Sequence, residues 1–583
     1  MRHGMTGPLI TMLLFLTACG DSKEESKISD SIDSSPPSML IAEDLVEGVL
    51  VEITHRAGID FVHETGATGG FFMPETISGG GALLDFDNDG RLDIYLVSGG
   101  PDGSKTDERG AVVNQLYRNL DGEHFERVAK AAGAEGSKYG MGVAVGDANG
   151  DGSPDLYLTN LGEDELLLND GKGHFVEISG VGASGWSSSA AFLDYNADGA
   201  LDIFVARYVK FDSAGLCFDS ADRREYCGPK SFPPMPDVLL RGDGQGGFVD
   251  VSIEAGIGAS SSSKGAAGLG VACADFDEDG WPDVYVANDA YANNLWLNQR
   301  DETFIDDALI LGVAFNMNGQ AEAGMGVIAD DFDDNGTIDL FMTHLVGETN
   351  TYYRNLGAGI GFVDTTGRSG LAQSSMVYTG FGVLALDLEL DGDLDLLIAN
   401  GRVKKGEVLA ETKLTGQWAR YAEPNLFYLN QGGGRFEVAN ELVSAVRDRC
   451  EVSRGWATGD IDGDGDLDVL LVNTDGPARL YRNDSERMGK GLLLDVRDGK
   501  REALGARVRL VIGDFERVRT VSICRGFQSS SDVRVHFGLP IGLDLKTARI
   551  EVRWIGGDLE SFEINPGDGL VEITRGTGKS LPK

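Results

Sequence analysis

Seven short acidic segments carry the residue types and spacing of a calcium-binding loop. Each spans nine residues, with side-chain oxygens at positions 1, 3, 5 and 9 and glycine at position 6. Ca²⁺ takes six to eight hard oxygen ligands, and glycine lets the backbone reverse tightly. Residue 7 would add its backbone carbonyl. We therefore predict up to seven Ca²⁺ sites, with these residues as ligands: Asp85, Asp87, Asp89, Arg91, Asp93; Asp147, Asn149, Asp151, Ser153, Asp155; Asp194, Asn196, Asp198, Ala200, Asp202; Asp275, Asp277, Asp279, Trp281, Asp283; Asp331, Asp333, Asn335, Thr337, Asp339; Asp387, Glu389, Asp391, Asp393, Asp395; Asp460, Asp462, Asp464, Asp466, Asp468.

An EF-hand loop begins in the same way, but it needs a Glu at position 12 and a helix on each side. Apolar residues occupy position 12 in all seven copies: Leu96, Leu158, Val205, Val286, Met342, Ile398 and Leu471. The flanking segments are typical of β-strands, so EF-hands are excluded. Solvated acidic hairpin tips are the other interpretation, and seven copies in one register disfavour it.

The net charge is −43, which disfavours nucleic acid and anionic lipid as partners. The charge is uneven along the chain. From Arg487 onwards, 17 Lys or Arg residues outnumber 13 Asp or Glu residues. This change in composition predicts a domain boundary near residue 485.

The N-terminus has the pattern of an export signal. Arg2 precedes an apolar stretch from Leu9 to Leu16, which is too short for a stable transmembrane helix. The sequence Leu16-Thr-Ala-Cys19 resembles the lipobox of bacterial lipoproteins, so we predict lipidation at Cys19. An ordinary signal with an incidental cysteine is the alternative. We predict a lipoprotein signal peptide over 1–18 and a flexible tether over 19–47, hence an exported envelope lipoprotein, at the outer membrane or cell surface rather than the inner membrane.

Export permits disulfides. Cys217 and Cys227 lie in the longest insertion between acidic loops, which is rich in proline, and we predict that they form a local bridge. Cys273 lies on an apolar strand and is expected to be a small buried residue. Cys450 and Cys524 are a further candidate pair, joining the repeat region to the C-terminal domain.

The acidic loops recur at intervals of 47 to 81 residues, the spacing of a propeller or solenoid. Each repeat predicts four strands: a strand of small residues before the loop, an apolar strand after it, a third strand and a Phe-centred fourth. Four antiparallel strands form the blade of a β-propeller. The seventh repeat lacks its fourth strand, whereas Val51–Gly58 matches the segment that ends the other repeats. We therefore predict a seven-bladed propeller over 48–484, closed by the N-terminal strand; a linear solenoid is the alternative.

The C-terminal region, 488–577, predicts six or seven short strands and hence a small β-rich, sandwich-like domain. The expected strands are 492–496, 506–513, 517–524, 532–538, 548–555, 559–564 and 570–574. The fold class is all-β throughout.

Several motifs resemble known families. The acidic loops with the Asn-x-Leu-Tyr-x-Asn pattern are similar to the FG-GAP/VCBS repeats of integrin α-subunit propellers. Gly80–Gly90 and the insertion around Cys217 and Cys227 resemble the cartilage acidic protein family and its bacterial relatives. Leu504–Leu510, the Arg525-Gly-Phe-Gln-Ser-Ser segment and Val535–Leu539 resemble the ASPIC/UnbV module. One departure is Trp554-Ile-Gly-Gly, where the family usually has Trp-Pro-Ser-Gly.

The resemblance implies a secreted, calcium-binding protein with an adhesive or scaffolding role, and it implies no reaction. The sequence reveals no catalytic constellation, so no catalytic residue is assigned. We expect a monomeric binding module whose partner is a glycan or another envelope or extracellular protein, with the membrane contacted only through the lipid anchor. The alternative is a calcium-dependent carbohydrate-active protein, lectin-like or a lyase or hydrolase, using insertions such as 208–236 and 402–424 around the channel mouth.

Overall fold

In the computed structural model, the described residues are 49–100, 113–136, 138–257, 265–357, 359–485, 489–524, 526–564 and 569–582. The predicted signal peptide, the tether and Cys19 lie outside these residues. The described helices are each three or four residues long, and none is long and apolar enough to cross a membrane.

Seven four-stranded antiparallel sheets are arranged as the blades of a propeller. Within each blade the strands are named A to D from the centre outwards. Strand A runs into the acidic loop and strand B leaves it.

The blades have the following strands, from A to D. Blade one is Gly81–Leu84, Asp93–Leu96, Gln115–Asn119 and Phe125–Arg127; blade two is Tyr139–Gly146, Asp155–Glu163, Glu165–Asn169 and Phe175–Ile178; blade three is Ser184–Leu193, Asp202–Arg207, Val238–Gly242 and Phe248–Asp250; blade four is Gly268–Ala274, Asp283–Asn288, Asn294–Asn298 and Phe304–Asp306. Blade five is Val327–Asp330, Asp339–Met342, Thr351–Asn355 and Phe362–Asp364; blade six is Gly380–Leu386, Asp395–Asn400, Leu426–Asn430 and Phe436–Val438; blade seven is Ser453–Gly459, Asp468–Asn473, Arg479–Asn483 and Leu50–Glu52.

The N-terminal strand closes the ring, as the sequence predicts. Leu50–Glu52 pairs antiparallel with Arg479–Asn483, with Leu50 opposite Asn483. The innermost strands of blades seven and one also contact each other, as do those of every other pair of neighbouring blades. The seven-bladed propeller is confirmed, and the linear solenoid is excluded.

A repeated asparagine at the end of strand C ties each of six blades to the preceding one. Its side-chain Nδ2 donates to the backbone carbonyl of loop position 2 in the preceding blade. The bonds run from Asn119 to Ile461 (2.9 Å), Asn169 to Phe86 (2.7 Å), Asn298 to Tyr195 (2.7 Å), Asn355 to Phe276 (3.0 Å), Asn430 to Phe332 (3.0 Å) and Asn483 to Leu388 (3.1 Å).

Blade three has Gly242 at this position, and a Cβ there would lie 2.1 Å from the carbonyl oxygen of Leu201. Direct strand pairing replaces the asparagine at this junction: Trp186 of blade three lies opposite Leu161 of blade two. Blades two and three therefore form one continuous sheet.

Short helices and one small hairpin lie in the connections. The α-helices are Ala129–Ala132, Ala308–Leu311, Ala372–Ser375 and Ser444–Arg447; the 3₁₀ helices are Met73–Thr76, Pro229–Ser231, Trp418–Arg420, Asn440–Val443 and Leu545–Thr547; the hairpin is Cys217–Phe218 with Arg224–Glu225.

The C-terminal domain is all-β, as expected, and forms two sheets. One contains Gly489–Asp498, Arg501–Glu502, Val535–Pro540 and Leu570–Thr574; the other contains Arg507–Ile512, Phe515–Thr520, Arg549–Arg553, Leu559–Glu563 and Lys579–Leu581. The strand that was predicted over 517–524 is shorter than expected, because it ends at Thr520. The chain leaves the sheet there and enters the propeller.

Candidate metal sites and the filled channel

All seven acidic loops have the same backbone conformation. The position-6 glycines have φ between +85° and +100°, which a side chain would strain. The carboxylate of position 1 accepts the N–H groups of positions 5 and 6; in loop one, Asp85 accepts from Asp89 (3.0 Å) and Gly90 (2.8 Å). These bonds hold the loop in a turn whose side chains converge.

The position-9 aspartate anchors each loop to its blade. Asp93, for example, accepts from the N–H of Phe86 (3.1 Å) and of Asn119 (2.7 Å). All seven of these aspartates are at most 1% exposed. Burial raises the pKa of Asp93 to about 8, and the charges of Asp85 and Asp89 raise it as well. A buried carboxylate among like charges favours a cation beside it.

The residue at position 3 divides the loops into two groups. Among the described residues, three carboxylates lie within 4.8 Å of one another in loops one, four, five and seven. These four loops have aspartate at position 3: Asp87, Asp277, Asp333 and Asp462. The other three have Asn149, Asn196 and Glu389 there. Asp87 Oδ1 is buried without a hydrogen-bond partner, which fits an oxygen that would face a metal ion. Loops one, four, five and seven therefore bring three carboxylates together, whereas loops two and three offer an amide oxygen at position 3, which is also a ligand that Ca²⁺ accepts.

Arginines of the C-terminal domain contact five of the acidic loops, so the basic domain lies on the acidic-loop face. Arg501 pairs with Asp194 of loop three (3.1 Å), and Arg507 pairs with Glu278 of loop four (2.9 Å). Further contacts include Arg517 with Asp334 of loop five (3.1 Å) and Asp393 of loop six (2.7 Å), and Arg534 Nη2 with the carbonyl of Asp460 in loop seven (3.4 Å). In loop three a guanidinium thus already neutralises the position-1 carboxylate that the sequence assigns to a metal.

Residues 526–532 of the C-terminal domain, called the plug, fill the central channel. Ser530 pairs with blade one, donating its N–H to Gly81 O (3.0 Å) and accepting from Leu83 N (3.1 Å). Gln528 O accepts from Val143 N of blade two (3.1 Å).

The plug and the residues leading into it contact the innermost strands of all the other blades too. These contacts are Gln528 N to Ser189 Oγ of blade three (3.3 Å), Cys524 Sγ to Val271 O of blade four (3.3 Å), a bridge between Gly526 and Val327 of blade five, the ring of Phe527 against Phe381 of blade six (5.3 Å) and Asp532 N to Thr458 O of blade seven (2.9 Å).

Small residues in the innermost strands make room for the plug. A Cβ on Gly80 would lie 2.1 Å from Gln528 O, and one on Gly142 would lie 2.7 Å from the same atom. The sequence predicts small residues near the axis, but it does not indicate what fills the space that they leave.

The two long insertions meet at the other end of the channel and form what we call the cap (residues 208–236 and 402–424). Glu225 accepts from Tyr421 Oη (3.0 Å) and from Lys405 N (3.2 Å). Tyr226 packs on Trp418, with ring centroids 6.4 Å apart. The insertions were expected around the channel mouth, and there they pack against each other.

The plug reaches the cap. Phe527 is fully buried and belongs to one apolar cluster with Tyr208 and Phe232 of the blade-three connection, Trp186 of blade three and Phe381 of blade six. The channel is therefore occupied from the acidic-loop face to the cap.

The cysteine predictions are partly confirmed. Cys217 and Cys227 form a disulfide within the cap. The proposed pair Cys450–Cys524 is wrong: Cys450 packs with Trp418 and Tyr421 under the cap, whereas Cys524 lies between blades three and four. Cys273 is half-buried: it packs against the apolar cluster between blades three and four and lines a small cavity.

Family models agree with this architecture. The FG-GAP-like repeat matches residues 85–158, 149–205 and 275–342, and the ASPIC and UnbV model matches residues 497–580. The propeller thus contains FG-GAP-like repeats, and an ASPIC and UnbV domain follows it.

Among individual proteins, the chain is similar to cartilage acidic protein 1. It is 23% identical to the Mus musculus protein over 519 residues, covering 84% of this chain and 72% of that one, and 23% identical to the Homo sapiens protein over 528 residues, covering 86% and 72%. Among solved structures, an Agrocybe aegerita lectin that recognises non-reducing terminal N-acetylglucosamine aligns with a TM-score of 0.34 and 16% identity, covering 70% of this chain and 91% of that one.

Proposed function

We propose that the protein is an exported, lipid-anchored binding or scaffolding module of the cell envelope, in which Ca²⁺ is structural and the cap face binds the partner. One observation carries the proposal: the C-terminal domain lies on the acidic-loop face and its plug fills the channel. The cap face is then the broad end of the propeller that is left for a partner.

The calcium role is proposed from the loops themselves. The carboxylates of positions 1, 3 and 9 would hold an ion in loops one and five, and those of positions 1, 3 and 5 would do so in loops four and seven. Each ion would offset the charge of converging buried carboxylates and stiffen the turn between strands A and B. Ca²⁺ thereby supports the shape of the blades and takes no part in a reaction.

The cap face presents apolar side chains to solvent. Leu216 is 62% exposed, Phe218 is 52% exposed and Phe72 is 37% exposed. The Arg224 guanidinium lies over the Phe218 ring at 5.6 Å, so this region combines an aromatic face with charge. Exposed apolar residues grouped near polar ones are typical of interaction sites, and aromatic rings suit both sugar and protein partners.

Export rests on the signal-like N-terminus, with lipidation at Cys19 as the proposed anchor. The Cys217–Cys227 disulfide agrees with an oxidising compartment. The carbohydrate-active alternative would use the same insertions around the channel mouth, and the screen below separates it from binding alone.

The test is a binding screen against glycans and purified envelope components, with and without calcium, using the full chain. Phe218→Ala should weaken binding of a hit at least tenfold. Val249→Ala, which alters a similarly exposed apolar residue on an outer strand (63% exposed, against 52% for Phe218), is the matched control and should leave the affinity unchanged. Hits whose binding is insensitive to Phe218→Ala and Leu216→Ala would contradict the cap as the binding face. New reducing ends in the polysaccharides of the same screen would favour the carbohydrate-active alternative.

A further inference from the structure

Two cysteines outside the known disulfide lie where the C-terminal domain enters the channel. Cys524 is at the start of the plug, and its Sγ lies 3.3 Å from Val271 O and 3.6 Å from Ala190 O. Cys524 therefore lies between the innermost strands of blades three and four.

Cys273 lies beside this point. It follows Val271 by two residues on the same strand of blade four. Cys273 and Cys524 pack against the same apolar cluster and line the same cavity of about 20 Å³. Burial raises the pKa of the Cys273 thiol well above its usual value, and the neighbouring Cys524 raises it further, as expected for two thiols in one place.

We propose that Cys273 and Cys524 become joined by a disulfide in the exported protein, fastening the plug to the channel wall. The oxidant is an external disulfide, of a thiol oxidoreductase or a low-molecular-weight thiol. One cysteine thiolate attacks it and releases one thiol, and the second cysteine thiolate then attacks the mixed disulfide and releases the other. Two S–H bonds are lost, one S–S bond forms in the protein, and two electrons and two protons leave with the released thiols.

The order of events follows from thiol chemistry. The thiolate is the reactive form, and burial in the finished structure disfavours it. The first exchange therefore takes place while the plug is entering the channel, and the second as Cys524 reaches Cys273. The bridge would link positions far apart in the chain, a connection that restricts the unfolded state strongly.

Site-resolved peptide mapping tests the proposal. The exported protein is denatured without reductant, alkylated and digested. The expected result is a linked Cys273–Cys524 peptide, with Cys450 alkylated. Cys450 is the internal control because it is a buried thiol in another cluster. A Cys450–Cys524 link overturns the proposal, and so does alkylation of Cys273 and Cys524 in this arm together with no link in the second arm.

In the cell, the disulfide forms only if the protein is exported. A second arm of the experiment tests the disulfide without export. Reduced, unfolded protein is refolded in the presence of oxidised glutathione, and the Cys217–Cys227 pair reports that oxidation has worked. One outcome is that the Cys273–Cys524 link forms in this refolding arm and yet is absent from the protein isolated from cells. That result would show that the two cysteines are adjacent in the fold and would count against export. Failure in both arms refutes the bridge.

Variants give a third measurement. Cys524→Ser should leave Cys273 available for alkylation and lower the Tm by a few degrees relative to the oxidised protein. Cys450→Ser should leave the link intact. If Cys524→Ser does not fold, Cys273→Ser provides the reciprocal test, with Cys524 becoming available for alkylation.

Discussion

The two faces of the propeller are built on different principles. The acidic-loop face repeats one nine-residue turn seven times, with glycine at position 6 and a buried aspartate at position 9. The cap face consists of unequal connections, two of which are long and interlocked through Glu225, Tyr421 and Trp418. Repetition on one face fixes the scaffold, so the other face can diverge without loss of the fold.

Removal of calcium should have the largest effect, because it acts on all the loops of the acidic-loop face at once. We expect EGTA to lower the Tm in a large step, because each ion that binds only the native state adds about 1.4–2.7 kcal/mol when calcium is about ten- to a hundredfold above Kd. With four filled sites, each site would add this amount to the free energy of unfolding. Differential scanning calorimetry with and without EGTA measures it, with EGTA pre-saturated with calcium as the control. An unchanged Tm would show that the loops hold no stabilising ion.

The plug should be the next most sensitive point, because it joins the two faces. Phe527→Ala removes a fully buried ring and should cost about 3–5 kcal/mol of unfolding free energy. Urea denaturation measures the loss. The control is Phe218→Ala, which trims a ring that is 52% exposed and should cost little. Equal effects of the two variants would contradict the position of the plug.

The residue at position 3 should decide how many ions bind. Asp277→Ala is expected to remove one Ca²⁺ per chain and about 1.4–2.7 kcal/mol of calcium-dependent stability. Asn196→Ala is a close control, since Asn196 and Asp277 each accept the position-5 N–H at 3.2 Å. Calorimetric titration gives the stoichiometry. If Asn196→Ala also removes an ion, the division of the loops by position 3 is wrong.

The asparagine ties between blades should have the smallest effect. Asn355→Ala deletes the bond to Phe276 O and leaves that buried carbonyl without its donor, at a cost of about 1–3 kcal/mol. Thermal unfolding compares it with Asn318→Ala, a change at an exposed asparagine. Equal Tm values for the two variants would show that the ties add nothing to packing between blades.

The blades and the closure of the ring could be predicted because each depends on a local pattern that recurs. The turn chemistry of the loops fixes strands A and B, and the missing strand in the seventh repeat indicates where Leu50–Glu52 belongs. The asparagine of strand C is part of a motif that the sequence shows. Its role in joining blades could not be predicted, because its hydrogen-bond partner lies in another blade.

The plug could not be predicted for a related reason. The segment Gly526-Phe-Gln-Ser-Ser-Ser contains no periodic pattern, and its hydrogen-bond partners come from blades spread over the whole propeller. The same argument explains the wrong pairing of Cys450 with Cys524. Cysteine pairing between distant segments depends on tertiary contacts, whereas Cys217 and Cys227 lie within one short insertion.

The strand exchange between the ends of the propeller sets the order in which the protein can assemble. Leu50–Glu52 is synthesised early, yet its partner strand is the last of the seventh blade to be made. Until then both strands have unpaired backbone edges, which invite aggregation, and pairing over such a sequence separation is slow. The C-terminal domain arrives later still, so the axis of the ring stays hollow until the final stage of assembly.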